Sequence, residues 1–428
     1  MRTANPVSMP CLKQTAVVAG VCALSLGGYL FHWLRTPRIE NPELHEEIWK
    51  AANERHEHYQ AHALDPRKNL YLNPTFLPYW GVEKDRIKRC STERAVAAWI
   101  SDGEGHDDYI HIPEFPSYRE AKARFEDLIN QLSEESHKPV FVVPGELWSR
   151  RQSMDTSNLR RLLYGTIKLA ESRVYHDDDV EGALEILLFC FKLFDKVGRG
   201  NSRIDWLYSR TSQSITVKAL TDLFKPEDLE REKWLEVAGV VSEVLTSDDD
   251  FLIALEDETA QLRLTTRRGL SPEEWGEGFD PYERFQALRA RDERILCNEM
   301  TPLLLSVKSG GPPRYGKARR GHKGICVFPP GQFQLDIFQQ SAYLCRRHLL
   351  GLLGTASLLG GRDEKGRLPA RVDIEDGRWE HDKSELFVPL NRSRVTQSWL
   401  EFQGEEEDED PESWLEFKPD SGWYWKLG

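Results

Sequence analysis

The chain has 428 residues, with 57 lysines and arginines set against 70 aspartates and glutamates, a formal charge of −13. An acidic surface repels a phosphate backbone, which excludes nucleic acid as the main partner. The length and the 13 tryptophans fit a folded chain of more than one domain, neither disordered nor low in complexity.

Residues 1–14 read as a short cytoplasmic tail. Thr15 to Leu34, TAVVAGVCALSLGGYLFHWL, then runs without a formal charge, and a helix of that length crosses the ~30 Å of a bilayer's hydrocarbon. Tyr29 and Trp33 suit the interfacial belt. A cleaved signal peptide would need a small-residue site after a shorter apolar core, and lipid attachment at Cys22 is opposed by bulky Val21. The segment therefore reads as an uncleaved transmembrane anchor. Arg2 and Lys13 before it nearly balance Arg35 and Arg38 after it, so orientation rests on length: the short tail stays inside and the long remainder is exported. The expected location is the cytoplasmic membrane, single-pass, with the bulk of the chain outside.

Residues 35–82 read as a juxtamembrane stalk, in which Pro37 and Pro42 break the helix before NPELHEEIWKAANERHEHYQAH resumes it. Glu54, His58 and His62 recur every four residues and share one helix face, the arrangement of a weak metal site. HEHYQ is not the metalloprotease pattern, because Gln60 stands where the second histidine belongs, so a solvated face is the expectation. In SDGEGHDDY, Asp102, Glu104, His106 and Asp108 alternate like calcium ligands. Asp107 replaces the turning glycine and Pro113 the closing glutamate, which argues against a calcium loop.

A helical domain is expected over residues 83–360. SYREAKARFEDLINQLSEES has helical spacing at Ala121, Phe125, Leu128 and Leu132, and KPVFVVPG suggests one short strand. Five helices follow between Asp155 and Arg268. Their starts are marked by Asp155-Thr156-Ser157, Asp178-Asp179, Asn201-Ser202, Pro226-Glu227 and Ser247-Asp248. VEGALEILLFCFKLFDKVG is apolar nearly all round and should be the most buried, with Cys190 as a small core residue. The triplets Asp177–Asp179 and Asp248–Asp250 contain the D-x-D spacing of metal-dependent glycosyltransferases. Both lead straight into helical patterns, where carboxylates cap free N–H groups.

Two more helices are expected, from Pro281 to Val307 and from Gln332 to Leu359. Between them lies GPPRYGKARRGHKG, at 311–324. Its G-x-x-x-x-G-K spacing is that of a phosphate loop, but Pro312 and Pro313 remove backbone donors and Ala318 stands where Ser or Thr must hold magnesium. No nucleotide is expected; Arg314, Lys317, Arg319, Arg320 and Lys323 instead form a basic loop suited to lipid headgroups or an acidic partner. In HLLGLLGTASLLGG the run is too short to span a bilayer, and its glycines imply close helix packing.

Residues 361–428 change character. ELFVPL, two copies of SWLEF at 398–402 and 413–417, and GWYWKLG predict a small antiparallel β-meander, with the acidic GEEEDEDPE as a solvated turn between the repeats. One aromatic face should pack on the preceding helix. Trp399, Trp414 and Trp423 are either core or an exposed docking face.

The order of one anchor, the helix pair DVEGALEILLFCFKLFDKV with IDWLYSRTSQSITVKALTDLF, then FLIALEDETAQLRL and RRHLLGLLGTASLLGGRDEKGRLPARVD leading into strands, resembles singly anchored bacterial envelope proteins with a pseudopilin-like C-terminal tail. The resemblance implies topology and no activity. The expectation is a mainly α protein of stacked antiparallel helices, as hairpins or a bundle, with a small C-terminal β-meander and an N-terminal transmembrane helix. Functionally it is a non-catalytic envelope scaffold with a protein partner, no cofactor and no catalytic residues. The alternative is an anchored metal-dependent transferase or hydrolase.

Overall fold

The computed structural model describes residues 38–73, 118–142, 156–199, 203–245, 249–268, 286–309, 332–372, 374, 377–380, 384–390, 414–418 and 421–427. The chain is mainly helical, with a small antiparallel sheet. The helices are α1 (Pro42–Ala63), α2 (Tyr118–Glu135), α3 (Thr156–Asp177), α4 (Val180–Gly198), α5 (Arg203–Leu223), α6 (Arg231–Val244), α7 (Asp249–Arg268), α8 (Gln286–Lys308) and α9 (Gln332–Gly360). The strands are β1 (Arg378–Glu380), β2 (Glu385–Pro389), β3 (Leu415–Lys418) and β4 (Gly422–Lys426). Two compact units result, one from Met1–Ile48 with Thr259–Gly331, the other from Trp49–Glu258 with Gln332–Gly428. The predicted anchor at 15–34 lies outside the described residues, and none of the described helices is long and apolar enough to cross a membrane.

The larger unit is built round α4. Fourteen of its residues are buried, from Gly182 to Gly198, so this helix gives only the narrow stripe of Glu181, Glu185 and Lys192 to water. Asp179 starts it, its carboxylate accepting the Gly182 N–H at 2.9 Å, which is the capping role expected of the acidic triplet. Helices α3, α5 and α6 pack on α4, and α9 packs on α5 and α6. The expected start at Pro226 is displaced: Pro226 to Asp228 form a turn, and α6 begins at Arg231 after Glu230. The displacement leaves the Pro226 carbonyl available to the Trp234 indole N–H, at 3.2 Å.

The sheet covers α9, as the aromatic strands imply. Its order is β1-β2-β4-β3, which is not the sequential order of a meander. β4 takes an inner place, paired with β2 on one edge and β3 on the other, and its Trp423 and Trp425, both at most 2% exposed, pack against His348 and Gly351 of α9. The second SWLEF copy pairs with β4, Leu415 opposite Trp425; the first copy lies outside the described residues. Gly351 and Gly354 of α9 admit this layer. A Cβ at 351 would overlap the Trp425 indole, and one at 354 would come within 2.7 Å of Leu386 Cδ2. Gly360 instead accommodates Leu235 of α6. The glycines thus serve sheet packing as well as the helix packing expected of them.

The Lys138–Val142 segment makes one parallel bridge, Asn69 to Val140, in place of a full strand. Asn69 is completely buried and satisfies all the capacity of its amide. Nδ2 donates to the carbonyls of Ala63 and Val142 at 2.8 and 2.7 Å, and Oδ1 accepts from the N–H groups of Tyr71 and Val142 at 3.1 and 3.0 Å. One side chain therefore ties the end of α1 to a segment 73 residues later. Asn69→Asp keeps the acceptor but leaves two buried carbonyls facing a carboxylate. We expect it to cost about 2–4 kcal/mol in denaturant unfolding, whereas Asn53→Asp within α1 should change little.

Candidate functional site

The chain leaving the apolar run is grasped almost at once, by α8 and α7 of the smaller unit. The Asn298 side chain donates from Nδ2 to the Arg38 carbonyl at 2.9 Å and accepts the Glu40 N–H at Oδ1 at 2.7 Å. One amide thus pairs with extended backbone as a neighbouring strand would. Pro302 lies inside α8 and has no N–H to offer the Asn298 carbonyl, so the helix is locally opened at this point. Thr301, beside it, brings its hydroxyl within 2.8 Å of the Cys297 carbonyl, 2.8 Å of His45 Nε2 and 3.3 Å of the Glu40 carbonyl.

A hydroxyl has one proton to give. With the Cys297 carbonyl taking it, Thr301 accepts from His45 Nε2–H, which assigns the neutral Nε2–H tautomer and leaves Nδ1 as a bare lone pair. Nδ1 is buried and has no hydrogen-bond partner among the described residues, and His45 as a whole is 2% exposed. Burial, reinforced by the Arg263 guanidinium, pushes the His45 pKa down to about 4, against the weaker pull of the Cys297 carbonyl and the Glu46 and Glu293 carboxylates.

Arg263 completes the clasp from α7. Its guanidinium donates to Glu293 Oε1 at 2.7 Å, to Glu46 Oε1 at 2.6 Å and to the His45 carbonyl at 3.1 Å. Its side chain is 4% exposed and that of Glu293 15%, so their charge-assisted bond is shielded from water. The Glu46 carboxylate is 65% exposed and its bond is open to solvent. The Lys308–Glu47 pair at 3.2 Å is exposed on both sides and adds little.

The larger unit has a separate charged group. Arg55 of α1 donates from Nε and Nη2 to Asp257 Oδ1 at 3.0 and 2.6 Å and from Nη2 to Glu256 at 3.0 Å. Burial pushes Asp257 up to about 6 although Arg55 pulls it down. Tyr59, one turn on, is raised chiefly by burial. A second polar row runs down α5 into the core: Asp205, Ser209, Arg210, Ser212, Gln213 and Thr216 are all at most 2% exposed. Ser209 donates to the Phe194 carbonyl and Arg210 to Gln213 at 2.8 Å, with Asp195 3.8 Å away. Lower on the same helix Ser214 Oγ lies 3.2 Å from His348 Nδ1. Burial pushes that imidazole down to about 4, with Lys218 acting in the same direction. A base so weak, with a cation beside it, is poorly placed to activate a hydroxyl.

The predicted site residues fare differently. Glu54 and His58 are on the exposed side of α1 and His62 is half-buried, while Ala52 and Ala63 are buried. The rings of His58 and His62 meet edge to face at 6.0 Å. Among the described residues no group of three or more His, Cys, Asp or Glu side chains is disposed to hold a metal ion. The side of α1 that pairs with Glu256 and Asp257 is a quarter-turn away, carrying Arg55. Arg314, Lys317, Arg319, Arg320 and Lys323 lie outside the described residues, as do Trp399 and the Asp102–Asp108 stretch.

Trp414 and Trp423 are 6% and 2% exposed, which corrects the docking-face alternative. Trp414 donates its indole N–H to the Thr221 and Phe224 carbonyls at 2.7 and 2.8 Å, capping the end of α5. Its ring meets Trp234 at 6.0 Å and Trp425 at 5.6 Å, both edge to face. Trp423 stands edge-on to His348 at 4.9 Å. The half-buried outer face of the sheet holds Phe387 and Tyr424 instead, 4.8 Å apart, with Lys418 4.3 Å above the Tyr424 ring. Cys190 is buried as expected, and burial pushes its thiol up to about 12, where it is unreactive.

The clasp was missed because its partners lie some 260 residues apart. The available signal was Pro302 inside a helical pattern with Asn298 four residues earlier. The α5 row was legible as polar residues at the spacing 205, 209, 212, 216. Comparison with known proteins brings no further assignment: no family model, curated protein or solved structure matches the chain.

The Arg55 group generates a titration test. The Asp257 side chain, followed by 13C NMR in selectively labelled protein, should titrate near pH 6. In Arg55→Met the midpoint should rise further, because the opposing cation is gone. A fall would show that burial is not what governs this carboxyl.

Proposed function

We propose that this chain is a single-anchor bacterial envelope protein, a non-catalytic interaction scaffold held against the cytoplasmic membrane by residues 15–34, with the remainder outside. In this reading the N-terminal segment is a transmembrane helix and the exported helices stack as antiparallel pairs. The partner is another envelope protein. The likeness to singly anchored proteins with pseudopilin-like tails fits the same topology.

The observation that carries the reading is the grip on residues 38–47. The run ends at Leu34 and the first clasped residue is Arg38, whose carbonyl is bonded to Asn298. Four Cα steps cover at most ~14 Å, and each interfacial layer of a bilayer is roughly 5–8 Å thick. An anchor ending at Leu34 would thus hold Arg38, and with it the smaller unit, at the edge of the headgroups. Within the expected stalk His45, Ile48, Ala52, Ala63 and Asn69 are buried. A tether this short favours a body that acts at the membrane surface over one that reaches far from it.

Two measurements test the reading. The full chain should remain in the membrane pellet after carbonate extraction, and a chain lacking residues 15–34 should be released; release of the full chain would overturn the anchor. In intact spheroplasts, added protease should remove a C-terminal tag. Digestion only after lysis would overturn the orientation.

A further inference from the structure

We propose that the His45–Thr301 contact is an acid-sensitive latch, which frees residues 38–47 from α8 when protons enter the site. The latch stands on the geometry of the smaller unit. Its consequence, loosening the body from its anchor, rests on the reading above.

The geometry leaves a second proton nowhere to go. His45 is 2% exposed and already uses Nε2–H on Thr301 at 2.8 Å. A proton added at Nδ1 would create a buried N–H with no acceptor, in a cationic ring beside Arg263. Such a group strongly disfavours the closed arrangement. The charged groups acting on the ring come from all three helices: Arg263 of α7 opposes protonation, while Glu46 of α1 and Glu293 of α8 favour it. Arg263 already serves both carboxylates, at 2.6 and 2.7 Å, which limits what they can offer an imidazolium. Once residues 38–47 lift from α8, water reaches the ring and the proton is accepted at the ordinary histidine value.

The sign follows from linkage. The closed state holds the His45 pKa at about 4 and the open state returns it to 6.5. The closed state is therefore fully favoured above pH 6.5, and the advantage is lost as pH falls from 6.5 towards 4. Between pH 7.5 and pH 5 the population of the open state should rise about thirtyfold. The bonds of Asn298 to the Arg38 and Glu40 backbone contain no titratable group. That makes the histidine the element that sets the pH.

Hydrogen exchange on the full chain in detergent micelles tests this, comparing pH 7.5 with pH 5 after correction for intrinsic rates. Amides of residues 38–47 and 298–308 should lose protection about thirtyfold, while those of residues 180–198, which contain no histidine, keep theirs. In His45→Gln, whose amide can still donate to Thr301 and cannot titrate, the pH dependence should vanish. An unchanged wild type, an equal response in His45→Gln, or a uniform loss across the chain would each overturn the latch. Where His45→Gln does not fold, histidine NMR of the wild type decides. A His45 ring still neutral at pH 5.5 in the closed protein supports the latch, and one titrating near 6.5 overturns it.

Discussion

Everything in the larger unit follows from α4, a helix with almost no polar side. Burying all of it but the stripe of Glu181, Glu185 and Lys192 takes several neighbours, and α3, α5 and α6 provide them. Apolar burial of this kind is non-directional and supplies the bulk of the driving force. It does not by itself decide how the neighbours are rotated. That choice falls to the polar groups carried inward on α5, whose hydrogen bonds have direction and are costly to leave unmade. Ser209 on the Phe194 carbonyl is the clearest case. A Cβ on Gly198 would come 2.6 Å from the same hydroxyl, so the glycine keeps the two helices close enough for the bond to form.

The C-terminal sheet extends this logic. Three of its indoles sit in the core, and two of the indole N–H groups in that cluster end on backbone carbonyls that a helix end or turn would otherwise leave exposed: Trp414 at the end of α5 and Trp234 at Pro226. Tryptophan suits the place because it combines large apolar area with one donor. The tail of the chain is in this way part of the helical core and not an appendage to it. Its outward side chains, Phe387, Tyr424 and Lys418, stack on one another along the sheet.

In the smaller unit Ile48, Ile295, Leu296, Met300, Leu303 and Leu304 are buried, and a chain of charge-assisted bonds through Arg263, with the Asn298 amide and the Thr301 hydroxyl, holds residues 38–47. Such contacts are specific, and they respond to protons where packing does not. A histidine kept neutral by burial is the weak member of the set, because burial and the Arg263 guanidinium both oppose its charged form.

Local pattern determined much of this protein. The helix over Pro42–Ala63, the five helices between Thr156 and Arg268, the cap at Asp179 and the burial of α4 and Cys190 all follow from periodicity, capping chemistry and apolar content within a few residues. Pattern also placed the aromatic strands at the C-terminus and their packing on α9. Tertiary structure decided what local spacing cannot. Glu54, His58 and His62 do share a side of α1, but which side faces protein depends on Glu256, Asp257 and the other distant residues that pack there. Trp414 and Trp423 had two possible fates, and the pairing of β4 between β2 and β3 chose the core. The clasp of Asn298, Thr301 and His45 joins segments some 260 residues apart. Its members are individually ordinary residues, and only the fold makes them a site.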